Sequence, residues 1–220
     1  MPQTFASELL RPGLLDGLCI LLAEPEPAAD ASLAGASVAA ACTELGARVA
    51  RCGAIGERTL SGERERQPAD EAAMDEAVEQ ALVANGPIAV LVVDGAALFA
   101  AGSDGERDGG RAALRTCLDG AWNVTRAVAR SAFLALGRGG RIIYIAPAAG
   151  SGEHADPARA GLENLARTLS VEWARHAITV VAIAPGAATG AAEVAALTAY
   201  LASPAGAYFS GCLLDLSGPG

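Results

Sequence analysis

The sequence predicts an α/β protein: a single doubly wound domain built around a mostly parallel sheet. Short β-branched and leucine-rich runs alternate with longer helical stretches along the whole chain. The 220 residues are a usual length for one domain, so we expect residues 1–220 to fold together. Apolar residues make up 52 % of the chain and charged residues 19 %, a composition that excludes a disordered or fibrous protein.

The predicted strands and helices alternate strictly. The strands are expected at Leu18 to Ala23, Arg48 to Cys52, Ile88 to Val93, Arg141 to Ala146, Thr179 to Ala184 and Cys212 to Leu216. The helices are expected at Ala31 to Leu45, Asp70 to Ala84, Arg111 to Leu136, Pro157 to Ala174 and Ala191 to Leu201. Each pair of strands is thus joined by a helical crossover, which predicts parallel pairing with helices on both faces of the sheet. The polar, Arg- and Glu-rich stretch from Gly53 to Pro68 predicts a solvated loop.

The charge balance excludes several functions. The net charge of −9 argues against a nucleic-acid-binding surface, because the phosphate backbone would meet few cations. All 16 basic residues are arginines, so the chain has no lysine for a Schiff base, a phosphate-binding loop or a titrating general acid.

The cysteines and the apolar runs indicate the cellular compartment of the protein. The five cysteines are scattered without metal-ligand spacing, which predicts no metal site and a reducing compartment. The first residues lack the pattern of a signal peptide. Apolar runs such as Ile88 to Val93 are far shorter than a membrane span. We therefore expect a cytoplasmic protein without a membrane partner.

Four segments follow one another in the order of a known family. They are Gly139 to Ile145 with Ala148-Ala149-Gly150 after it, Ala160 to Glu172, Val181 to Gly186, and Leu201 to Gly218. Together they resemble the short-chain dehydrogenases/reductases over nearly the full chain length. The resemblance implies a Rossmann-like fold and an oxidoreductase ancestry with NAD or NADP as cofactor.

The resemblance also implies four catalytic positions, and all of them carry other residues. The family uses a Tyr phenol to move the proton, a Lys four residues later to lower the pKa of that phenol, and a Ser to hold the substrate oxygen. These positions fall on Ala155, Arg159 and Pro147, and the helix Asn of the proton relay falls on Cys117. We therefore expect no catalytic residues in this chain, which would make it a pseudoenzyme.

The cofactor positions are altered as well. The family's glycine-rich phosphate loop is replaced by Glu24-Pro25-Glu26-Pro27 and Asp30, which remove N–H donors and add negative charge. Only Gly35 stands where the family has a glycine. Asp94 opens the segment that replaces the Asn-Asn-Ala-Gly motif, placing a carboxylate near the usual adenosine pocket. Ala187 to Gly190 is too short for the usual substrate lid. We therefore expect no bound cofactor here, and NAD or NADP only in an active partner.

A few side chains could substitute for the lost groups. Tyr144 alternates with Ile143 and Ile145 on a predicted central strand, which favours a core or interface position. His154 can titrate near neutrality, and Ser151 lies in the same Gly- and Ser-rich loop. Without a phenol to perturb, Arg159 is expected to be an ion of the helix surface or of an interface, and Asp94 to hydrogen-bond backbone.

Apolar residues on two predicted helices favour a subunit interface. They are spread more widely over Arg111 to Leu136 than one core-facing stripe requires, and a helix with two apolar faces needs a second partner. The resemblance implies that this helix and Pro157 to Ala174 form a four-helix contact, and that the C-terminal tail forms a second one. The expected interface residues are Leu118, Trp122, Phe133, Leu162, Leu165, Leu169, Trp173, Tyr208 and Phe209. Burial of both helices within their own fold is the alternative.

Three hypotheses for function follow. We favour a catalytically silent subunit that supports an active dehydrogenase paralogue in a hetero- or homo-oligomer, because the chemistry is lost while the helices and tail are kept. The second hypothesis is an oxidoreductase that works through substitute residues. The third is a regulatory module that senses a small ligand. An intact dehydrogenase reading frame beside this one in the genome would favour the first.

Overall fold

A computed structural model describes residues 5–25, 33–60, 63–103 and 109–218 of the chain. Six strands form one sheet in the order β2-β1-β5-β6-β7-β8, and every neighbouring pair is parallel. The strands are β1 Cys19–Glu24, β2 Arg48–Gly53, β5 Val90–Asp94, β6 Gly140–Ile145, β7 Ile178–Ala184 and β8 Cys212–Asp215. The predicted α/β class and its six-stranded parallel sheet are confirmed.

Seven α-helices of the described ranges surround the sheet. They are α1 Phe5–Leu9, α2 Leu33–Glu44, α3 Glu71–Asn85, α4 Gly95–Ser103, α5 Gly109–Val128, α6 Ala155–Glu172 and α7 Ala191–Ala202. A π-helical turn, Ala129–Leu134, continues α5. The five predicted helices are therefore present, while α1 and α4 are additions that the sequence reading did not predict. Within the described ranges, no helix has both the length and the apolar character of a membrane span.

The core consists of two layers, one on each face of the sheet. Side chains of α3, α5 and α6 pack on one face, and side chains of α1, α2 and α7 pack on the other. Every residue of β1 and β5 is buried, because these central strands are covered on both faces. This double burial explains why their uninterrupted apolar runs were readable from the sequence.

The segment Gly53 to Pro68 is a hairpin, so the prediction of a solvated loop is wrong. Strands β3 Ile55–Leu60 and β4 Glu63–Pro68 pair antiparallel in a separate two-stranded sheet. Their register sets Glu57 opposite Arg66 and Arg58 opposite Glu65. A polar, Arg- and Glu-rich composition is thus compatible with two strands, and it did not identify a loop here.

Candidate functional site

The carboxyl ends of β1 and β5 mark the place where a ligand would be expected. Strand order reverses there, because β2 lies on one side of β1 and β5 on the other. In open parallel sheets, ligands bind outside the strand ends at such a reversal. The last residues of the two strands are Glu24 and Asp94. The candidate site therefore begins with two carboxylates.

Both carboxylates are buried. Glu24 is 2 % exposed and accepts a hydrogen bond from Nη1 of Arg51 at 2.9 Å. Burial raises the pKa of Glu24, the negative charge of Asp94 raises it further, and the guanidinium of Arg51 opposes the shift. Asp94 is fully buried, and its carboxylate accepts a hydrogen bond from the backbone N–H of Ala97 at 2.9 Å, as a helix-capping Asp does. The expectation that Asp94 hydrogen-bonds backbone is confirmed.

The described residues at this reversal do not fit a dinucleotide. Pro25 follows Glu24 directly, is buried and has no N–H to donate. Gly35 is also buried, in the first turn of α2. Glu26, Pro27 and Asp30 lie outside the described residues. A pyrophosphate beside the end of β1 would lie near the buried carboxylate of Glu24, whose charge the guanidinium of Arg51 partly offsets.

Arg159 is inserted across the ends of three strands rather than lying on the helix surface. Its Nη1 atom donates hydrogen bonds to the backbone carbonyls of Pro147 at 2.9 Å and Pro185 at 2.8 Å. Its Nη2 atom lies 3.9 Å from a carboxylate oxygen of Asp215, and the side chain is 13 % exposed. The prediction of a surface or interface ion was wrong, because carbonyls that follow β6 and β7 accept the guanidinium hydrogens.

The Asp215 carboxylate is held in its ionised form at the end of β8. Hydrogen bonds from the hydroxyl and backbone N–H of Ser217 lower its pKa, and the charge of Arg159 adds to the shift. Asp215 is a residue that the sequence reading missed. Its position at the end of a strand was the available signal, but the sequence does not indicate that Arg159 reaches it.

The other replaced catalytic positions are chemically inert. Pro147 and Ala155 are buried and have no side-chain group that could move a proton. Cys117 is fully buried, and its thiol donates to the backbone carbonyl of Gly95 at 3.3 Å. Burial raises the pKa of Cys117 to about 12, with the charge of Asp94 adding to the shift. The thiol is therefore protonated at neutral pH and is not a nucleophile.

The candidate substitutes lie in the core or in the loop before α6. Tyr144 is fully buried in the core, and its hydroxyl lies 2.9 Å from the Thr125 hydroxyl. Burial raises the pKa of Tyr144 well above its usual range, which confirms the core reading. His154 adopts a left-handed backbone conformation with φ of 66°, and its Nε2 atom lies 3.8 Å from a carboxylate oxygen of Glu153. Ser151 is exposed in the preceding turn.

The connection between β7 and α7 lies at the same strand ends and is short. Only residues 185–190 separate β7 from α7. The Thr189 hydroxyl accepts a hydrogen bond from the N–H of Gly186 at 2.9 Å and donates to the carbonyl of Leu216 at 3.1 Å. These bonds tie the connection to the chain just after β8.

Part of the predicted interface is interior. Phe133, Leu162 and Leu169 are at most 2 % exposed inside this chain, so they offer no surface to a partner. Helix α4 covers one side of α5, because a Cβ atom on Gly102 would lie 2.8 Å from Cα of Ala113. The second apolar side of α5 is thus partly an internal contact.

A smaller apolar surface remains around Trp122, which is 40 % exposed. Leu118 on α5 and Leu165 on α6 are half-buried beside the core. We call Leu118, Trp122 and Leu165 the α5–α6 patch. The other predicted interface residues keep exposed area elsewhere: Tyr208 is 91 % exposed, and Trp173 and Phe209 are half-buried.

Comparison with known proteins agrees with this fold. The family model described as short chain dehydrogenase matches residues 33–199. The chain therefore belongs to the short-chain dehydrogenase family, whose fold is that of an oxidoreductase. Comparison with curated proteins gives no match.

Solved structures of this family are similar to almost the whole chain. A citronellol catabolism dehydrogenase from Pseudomonas aeruginosa is 27 % identical with a TM-score of 0.71, and the alignment covers 94 % of this chain and 96 % of that one. A short-chain dehydrogenase/reductase from Serratia marcescens is 25 % identical with a TM-score of 0.67, covering 92 % and 96 %. A Mycobacterium smegmatis short chain dehydrogenase, 22 % identical, has the same fold with a TM-score of 0.74, covering 100 % and 98 %.

Proposed function

We propose that this chain is a catalytically silent member of the short-chain dehydrogenase family that supports an active NAD- or NADP-dependent paralogue in a hetero-oligomer. The observation that carries the proposal is that the guanidinium of Arg159 makes structural hydrogen bonds to the backbone. A guanidinium that hydrogen-bonds the carbonyls of Pro147 and Pro185 is occupied as a structural contact. Proton transfer needs a group whose pKa lies near the working pH, and an arginine does not provide one.

The buried carboxylates support the absence of cofactor binding. Glu24 and Asp94 are buried at the strand ends where the family resemblance implies the phosphate loop and the adenosine pocket, respectively. Loss of the cofactor and loss of the proton donor point to the same conclusion, because neither group is useful without the other.

The α5–α6 patch supports a partner subunit. Trp122 is a large side chain with two-fifths of its surface exposed, and Leu118 and Leu165 extend the apolar area beside it. Aromatic side chains with apolar neighbours are enriched at subunit contacts. Since the chain is proposed to have no chemistry of its own, a contribution to a partner's stability or activity is the function that the retained surface fits.

Calorimetric titration of the purified chain with NADH and NADPH tests the first half of the proposal. We expect no binding in the micromolar range for either cofactor, with an active family member as the positive control. Micromolar binding would contradict the interpretation that the carboxylates of Glu24 and Asp94 prevent cofactor binding.

Co-expression with dehydrogenases encoded beside this gene, followed by size-exclusion chromatography, tests the second half. We expect co-elution with one of them and a higher activity of that partner. A chain that stays monomeric, or that forms a homo-oligomer in the presence of every such partner, would overturn the support role and favour ligand sensing.

A further inference from the structure

A cavity of about 380 Å³ lies at the opposite edge of the sheet, where the strands begin. Three arginines line it: Arg48 at the start of β2, Arg138 in the turn before β6, and Arg141 within β6. Backbone of Gly17 and Gly139 forms part of the wall. The volume is in the range that holds a small molecule. We call this space the arginine cavity.

The charge of the arginine cavity is opposite to that of the protein. The chain has 25 acidic residues and 16 arginines. The described residues that line the arginine cavity nevertheless include three arginines and no Asp or Glu. No carboxylate of the described ranges forms an ion pair with any of the three guanidinium groups. Asp16 precedes the lining residue Gly17, but its carboxylate lies against Gly46. Arg48 and Arg138 are exposed and Arg141 is half-buried, so water screens part of the repulsion between the three charges. An anion between them would remove the remainder.

The lack of a negative counter-charge is clearest at Arg141. This residue is half-buried, and its Nη1 atom donates to the backbone carbonyl of Ala202 at 3.0 Å. Burial lowers the pKa of its guanidinium, because a cation removed from water without a counter-charge is destabilised. A carbonyl supplies a hydrogen-bond acceptor but no negative charge. A bound anion would supply both.

Helix dipoles offer a simpler explanation, but they account for only part of the pattern. Helices α2 and α3 end near this edge, at Glu44 and Asn85, and cations near a helix C-terminus are stabilising. That effect acts within the last helical turn and needs one cation at each end. It does not account for three arginines that line one cavity, and Arg141 belongs to a strand.

We propose that the arginine cavity binds a small anion that carries at least two phosphate or carboxylate groups. A guanidinium pairs with two oxygens of one such group in a planar fork, so a space lined by several arginines favours an anion of this kind. The cavity lies across the sheet from Glu24 and Arg159, at the strand starts rather than the strand ends. The proposal is therefore independent of the catalytic silence argued above.

Calorimetric titration with pyrophosphate and with citrate, at constant ionic strength, tests the proposal and separates phosphate from carboxylate recognition. We expect at least one of them to bind. Arg48→Gln and Arg138→Gln should each weaken binding by about tenfold, the loss expected for one charge-assisted hydrogen bond. Arg115→Gln is the matched control, because its side chain is 77 % exposed on α5 and does not line the cavity. Circular dichroism verifies that each variant is folded.

Two results would overturn the proposal. One is the absence of binding by both anions at millimolar concentration. The other is binding that Arg48→Gln and Arg138→Gln leave unchanged, or that Arg115→Gln weakens equally, since either pattern would mean attraction to the surface in general. Arg141 is left unsubstituted because its bond to Ala202 also holds the fold.

Discussion

At the scale of single residues, the sequence predicted which positions differ from the family pattern, and the structure showed what the side chains at those positions contact. Ala155 and Pro147 could be identified as unreactive from residue type alone. The contacts of Arg159 could not, because they depend on how far α6 lies from the ends of β6 and β7. The partnership of Glu24 with Arg51 was also hidden, since it joins residues on two neighbouring strands.

Glu24 gives a prediction about pH. Its folded-state pKa is raised, so the folded chain binds this proton more tightly than the unfolded chain. The buried carboxylate therefore lowers stability increasingly as pH rises from the ordinary glutamate pKa through the raised value. Glu24→Gln removes this titration, so the variant should gain stability relative to the unmodified protein across that window. Urea unfolding at a series of pH values measures the difference.

The control for this prediction is Glu172→Gln, which removes an exposed carboxylate at the end of α6. Its stability relative to the unmodified protein should change little across the same pH range. A Glu24→Gln variant that loses relative stability as pH rises would mean that the attraction of Arg51 outweighs the effect of burial.

At the scale of secondary structure, the buried strands were predictable, but α4 and the β3–β4 hairpin were not. Strands β1 and β5 are buried throughout, so their apolar runs are unbroken. Helix α4 is short and rich in alanine and glycine, which leaves no alternation of polar and apolar residues to detect. Because α4 was missed, its contact with α5 at Ala113 and Thr116 could not be foreseen.

The contact of α4 with α5 depends on Gly102. A Cβ atom there would lie 2.8 Å from both Cα of Ala113 and Cβ of Thr116, which is closer than packed atoms approach. Gly102→Val should therefore destabilise the protein by about 2 kcal/mol, the range of overpacked cores. Ala100→Val on the exposed side of the same helix should change stability by less than about 0.5 kcal/mol. Chemical denaturation measures both, and equal effects would contradict the described packing.

At the scale of the whole molecule, the two edges of the sheet differ in charge and in proposed use. At the strand ends lie two buried carboxylates and Arg159, whose guanidinium is hydrogen-bonded to backbone carbonyls. The strand starts surround a cavity with three arginines. The sequence allowed the first edge to be predicted, because the family resemblance directs attention to it. The second edge was not predicted, because Arg48 is distant in sequence from Arg138 and Arg141 and lines the same cavity only once β2 and β6 belong to one sheet.

The α5–α6 patch gives a prediction at this scale, which rests on the proposed partner. Trp122→Glu should dissociate the complex and lower the partner's activity, because a charge buried in an apolar contact is unfavourable. The fold should persist, since Trp122 is already 40 % exposed. Val83→Glu is the control, as Val83 is 88 % exposed on α3. Size-exclusion chromatography measures both, and a complex that tolerates Trp122→Glu would place the contact elsewhere.

The position of Arg159 has a consequence for the evolutionary history of the chain. A lysine there would place one compact ammonium where a planar fork now meets the carbonyls of Pro147 and Pro185 and faces Asp215. A variant with lysine at this position would therefore weaken this junction of three strands, while Ala155 would still lack a phenol. On the proposed catalytic silence, selection for a stable fold opposes such a change.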